Sequence, residues 1–71
     1  MADWKARVEN EREELDERLS KLRAFLGDEK KALEIAGSIQ VELMHEQQEL
    51  MENLLQVLSH RLELAELEPH Q

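Results

Sequence analysis

The sequence predicts an all-α fold: an antiparallel hairpin of two long helices with a short connecting helix, assembled as a homo-oligomer. Three observations carry this. Glu, Leu, Lys, Arg, Ala and Gln dominate the 71 residues, while Gly, Pro and aromatics are scarce. Apolar residues recur at three- and four-residue spacing along two long stretches. The last of these stretches carries two adjacent apolar rows, more than one antiparallel neighbour can cover.

The first helix is expected over about 3–26. Asp3 is the expected N-cap, its charge also favouring a helix start. Trp4, Val8, Leu15, Leu19, Leu22, Phe25 and Leu26 form one stripe. On the outer face, Glu14 precedes Arg18 and Glu17 precedes Lys21 by four residues, pairs each adding about 0.2–0.5 kcal/mol of helix support. Gly27 is the expected C′ residue.

Asp28 can cap a short helix over about 28–36, which Gly37 breaks; Ser38 is expected to cap the helix that follows. That last helix is expected over about 38–68, stopped by Pro69. One of its rows is Leu43, Gln47, Leu50, Leu54, Val57, Arg61 and Leu64. The other is Met44, Gln48, Met51, Leu55, Leu58, Leu62 and Ala65. Leu43, Leu50, Met51, Leu54, Leu58 and Leu62 are the expected oligomer interface. The short connector folds the long helices back on each other, with Leu22 near Leu43, Arg18 near Gln47, and Trp4 and Arg7 near Leu58 to Leu62.

Seventy-one residues form one domain, with a core too small to be robust alone. There is no cysteine to make a disulfide or a thiolate metal site, so self-association is the expected staple. The three histidines are too far apart in sequence for an HxxxH pair, and neither metal nor cofactor is expected. No apolar run approaches the roughly 20 residues of a membrane span, and no signal peptide is visible, so a soluble cytoplasmic protein is expected.

The net charge of −8 argues against duplex nucleic-acid binding, which needs a basic face. The charge is uneven, however: from Ala32 onward Arg61 is the sole Lys or Arg. An anion-binding surface must therefore draw on the first helix plus Arg61. No Ser/His/Asp or Cys/His arrangement and no Gly-rich phosphate loop is present, so catalysis is not expected.

Five residues are ligand candidates. Trp4 can stack on a base, worth about 1–3 kcal/mol where such stacking occurs, or can anchor the helix end. Arg7, one turn on, can fork onto a phosphate, or pair with Asp3 or Glu11. Arg18 and Lys21 add cations. Arg61 interrupts an apolar row, where an unpaired charge is costly. It either pairs with a carboxylate such as Glu11 or points at a shared anion site. Gln47 and Gln48 are expected to be buried amides that fix register.

The ordered pattern Arg7-Val8-x-x-Glu11-x-x-x-Leu15, then Phe25, then Leu43-Met44-x-x-Gln47-x-x-x-Met51, then Leu58-x-x-Arg61-Leu62 spans nearly the whole chain outside the connector. It resembles a family of small helical tailed-phage proteins related to a crAss-phage gene product. That family is similar to the anti-CBASS protein 2 type of nucleotide sponge. Leu54 stands where the family pattern has Tyr, three residues after Met51. The resemblance implies a compact homo-hexamer that holds a cyclic di- or trinucleotide of bacterial immunity between its chains without cleaving it. The reading from residues alone keeps two others open: a coiled-coil adaptor that docks a protein on its leftover apolar face, and an oligomer with no small ligand.

Overall fold

The computed structural model describes residues 3–65 and 67. Among these residues all regular structure is helical: α1 (Asp3–Gly27), α2 (Glu29–Ala36) and α3 (Ser38–Leu64). The described residues span 51 × 15 × 14 Å. No described helix is long and apolar enough to cross a membrane.

The helix ends differ from the sequence reading in three places. Gly27 is the last residue of α1 and does not take the left-handed conformation expected of a C′ glycine. Gly37 has the positive φ instead, 89° with ψ 159°, an extended conformation that is essentially glycine's alone, and it serves both as C-cap of α2 and as N-cap of α3. A single residue therefore turns the chain, and Ser38 is already helical, with no side-chain cap at that terminus. Third, α3 ends at Leu64, short of the expected 68; residues 66 and 68–71, with Pro69 and His70, lie outside the described set. Asp3 opens α1, but its side chain also lies outside that set, so its cap role is not described. Asp28 caps α2 as expected, its Oδ1 accepting from the Lys31 N–H at 3.2 Å.

The core forms where the stripe of α1 meets one row of α3. Val8 and Leu15, early in α1, cluster with Leu58, late in α3, and Met51, Leu55 and Leu62 pack beside them. At the other end Leu26, Ala32 and Val41 cluster, with Leu22, Phe25, Ala36 and Met44 against them. Leu19, between the clusters, is wholly buried. Each such leucine contributes about 1.5–3 kcal/mol through burial.

The two rows of α3 part completely. Met44, Gln48, Met51, Leu55, Leu58, Leu62 and Ala65 are all buried or half-buried. Leu43, Gln47, Leu50, Leu54, Val57, Arg61 and Leu64 are all exposed. A line of exposed, mostly apolar side chains, interrupted by Gln47 and Arg61, thus runs along the molecule, with Leu50 still 68% exposed.

Candidate functional site

Turns of α1 and α3 place an open groove of about 440 Å³ beside the core seam. Its lining is Arg18, Lys21, Leu22 and Phe25 from α1 with Met44, Gln47 and Met51 from α3. Lys21 to Phe25 and Arg18 to Phe25 are steps of four and seven residues, which an α-helix presents on one flank. Leu22, Phe25, Met44 and Met51 make an apolar floor. Arg18 and Lys21 stand over it as cations, each held loosely by the carboxylate one turn earlier: Arg18 to Glu14 at 3.9 Å and Lys21 to Glu17 at 3.8 Å. These exposed pairs are weak, so an anion can compete for either cation at little cost.

The remaining ligand candidates lie elsewhere in the chain. Arg7 precedes Val8 and Arg61 precedes Leu62, at the end of the molecule where Val8 packs on Leu58. Trp4 is at the same end and is 43% exposed. Arg7 and Arg61 are both exposed, and neither makes an ion pair among the described residues. The pairing of Arg61 or Arg7 with Glu11 is therefore not formed within one chain. Fourteen residues of helix, about 21 Å at 1.5 Å per residue, separate Arg61 from Gln47 at the groove. One chain holds two separate sets: Arg18 and Lys21 at the groove, and Trp4, Arg7 and Arg61 near one end.

Sequence reasoning missed the wall of the groove. Phe25, a member of the core stripe in sequence and not among the ligand candidates, lies half-buried with one side on the groove. Its spacing from Arg18 and Lys21 was the available signal. Gln47 is exposed on the groove and not a buried amide. Gln48 is half-buried, and its Nε2 donates to Glu52 Oε2 at 3.2 Å within α3. The expected interface set also divides. Leu58 is buried within the chain with Met51 and Leu62 packed beside it, whereas Leu43, Leu50 and Leu54 remain exposed.

A family model described as Sequestin matches residues 2–64, which takes in all three helices. The chain belongs to the Sequestin family. The name denotes sequestration, a binding role and not a catalytic one, and the match covers both the groove and the exposed row of α3. No curated protein and no solved structure matches the chain. The Sequestin match fits the resemblance to phage anti-CBASS sponges drawn from Arg7, Glu11, Gln47, Met51 and Arg61. Among the described residues no cluster of His, Asp and Glu is arranged to hold a metal ion.

Proposed function

We propose that this member of the Sequestin family is a phage anti-defence protein that binds cyclic oligonucleotide immune messengers and holds them without cleaving them. The Sequestin match over residues 2–64 carries the reading. The groove supports it. An apolar floor with Phe25 at its side suits a nucleobase, and Arg18 and Lys21 suit the phosphates beside it. Arg7, Arg61 and Trp4 extend the phosphate- and base-binding surface.

The working unit is the antiparallel hairpin, which the packing of Val8 on Leu58 and of Leu26 on Val41 supports. Hairpins assemble through the exposed row Leu43, Leu50, Leu54, Val57 and Leu64, with a hexamer as the finished form in the host cytoplasm. Five exposed large apolar side chains in one row on so small a chain are the mark of an interface.

The test is recovery of ligand. The protein is loaded with a cyclic di- or trinucleotide, freed of excess, denatured by heat, and the released material is chromatographed. Intact nucleotide in fixed proportion to protein supports sequestration. Linearised nucleotide, or none retained from a panel that includes cyclic ADP-ribose isomers, contradicts it. The same exposed row favours a second reading, a helical adaptor that docks a protein partner. Such an adaptor retains no nucleotide and binds one host protein.

A further inference from the structure

The floor of the groove holds two thioethers. Met44 and Met51 are both half-buried and seven residues apart on α3, which sets them on one flank of the helix, about 10 Å apart along its axis. Each has two surroundings. Met44 packs against the cluster of Leu26, Ala32 and Val41, and Met51 against that of Val8, Leu15 and Leu58. Each also lines the open groove. The same two side chains thus support both ends of the hairpin core and meet solvent. The chain has no cysteine, so these thioethers are the groups in the groove that a peroxide attacks.

A thioether sulfur offers its lone pair to hydrogen peroxide. The O–O bond breaks, one oxygen stays on sulfur as a sulfoxide, and the other leaves as water with both protons. Sulfur loses two electrons and the peroxide gains them. A flexible apolar side chain becomes a polar one with a strong acceptor oxygen. Against either core cluster the packed neighbours are apolar, and an unpartnered acceptor there is costly. On the groove side stand Arg18, Lys21 and Gln47, all of them donors. The oxidised side chains therefore turn outward, away from the clusters and into the groove.

We propose that peroxide oxidation of Met44 and Met51 closes the groove to an anionic ligand and loosens the hairpin, so that the site is redox-sensitive. The turned sulfoxides withdraw from both clusters, and the packing of α1 on α3 weakens at each end. They also put polar atoms on an apolar floor and accept hydrogen bonds from the cations that would otherwise meet an anion. Leu22 and Phe25, the other apolar members of the lining, offer peroxide no sulfur lone pair, so the response rests on α3. Reduction by methionine sulfoxide reductases, one for each sulfoxide epimer, restores the thioethers. The loss of ligand rests on the sponge function proposed above; the oxidation and the loosening do not.

The full chain is treated with hydrogen peroxide in the presence of free methionine as an internal standard, then mapped by peptide mass and unfolded by heat. Met44 and Met51 are each expected to gain one oxygen before the free methionine is consumed. The midpoint of unfolding should fall by about 4–8 °C and recover after treatment with the two reductases. A Met44→Leu/Met51→Leu chain, which conserves side-chain volume, is compared with itself before and after peroxide and should show no fall. A chain loaded with a cyclic di- or trinucleotide should release it intact on oxidation. Met44 and Met51 left unmodified while the free methionine is consumed overturn the proposal, as do two sulfoxides with an unchanged midpoint. Nucleotide still held by the oxidised chain overturns the closing of the groove. A midpoint that falls and recovers in a chain that holds no nucleotide even before oxidation upholds the redox response and removes the sponge reading.

Discussion

Arg23 on α1 reaches across to α3, its Nη2 lying 2.9 Å from Oε2 of Glu52. Arg23 is two residues on from Lys21, about 200° round the helix, so this bridge closes the flank away from the groove. Gln48 donates to the same Glu52 oxygen from one turn earlier in α3. One flank of the molecule is thus tied shut by a charged bridge, while the other presents the groove and the apolar row.

The Glu52 carboxyl is held below its ordinary value of 4.5, first by the hydrogen bond from Arg23, then by that from Gln48, with the Arg23 charge adding to both. A lowered carboxylate pKa favours the folded state wherever the group is ionised. Its contribution is therefore complete above about pH 4.5 and is lost as pH falls through the lower folded-state value. Arg23→Gln should return Glu52 toward its ordinary value, and a carbon-detected NMR titration of the carboxyl reads this. Both side chains remain partly exposed, so the accompanying stability change is expected to be small.

Leu19 and Leu50 should respond oppositely to truncation. Leu19 is wholly buried, and Leu19→Ala is expected to cost about 2–5 kcal/mol in denaturant unfolding. Leu50 is 68% exposed, and Leu50→Ala should shift the unfolding of a dissociated chain by no more than about 0.5 kcal/mol. Its effect should appear instead as weaker self-association on dilution.

Leu54→Glu should convert the oligomer to single chains that remain helical. The side chain faces solvent within one chain, so a carboxylate there is tolerated until a second copy covers it. Light scattering after size exclusion, with circular dichroism alongside, checks both halves of the expectation.

The two glycines should also separate. An added Cβ meets nothing within 4 Å at either one. Gly27 ends α1 without a positive φ, so Gly27→Ala should stabilise by about 0.4–1 kcal/mol. Gly37 holds φ 89° with ψ 159°, where an L side chain is strained, and Gly37→Ala should cost about 1–3 kcal/mol. Thermal unfolding of the two variants side by side measures the difference.

The helices were legible in the sequence because periodic leucines and helix-forming neighbours agree over long stretches. The two rows of α3 were legible for the same reason, and which of them stays bare follows from the row that meets the α1 stripe. The helix ends were harder to read. Gly27 and Gly37 look alike in sequence, but only the chain's path decides which must take a positive φ. The groove was half legible. Arg18 and Lys21 stood out as cations, whereas Phe25 and Gln47 needed the depth of packing between helices to show a wetted side. Arg61 stood out as a charge in an apolar row. Its partner was not legible, because no carboxylate of its own chain reaches it among the described residues.

Native mass spectrometry of the purified protein, alone and with cyclic di- and trinucleotides and cyclic ADP-ribose isomers, tests the central claim most directly. The account predicts one defined oligomer that gains whole numbers of one nucleotide, with the gain lost in Arg18→Ala/Lys21→Ala while the oligomer persists. A defined oligomer that gains nothing from the whole panel would contradict it, and would leave the exposed row of α3 as a docking surface for protein.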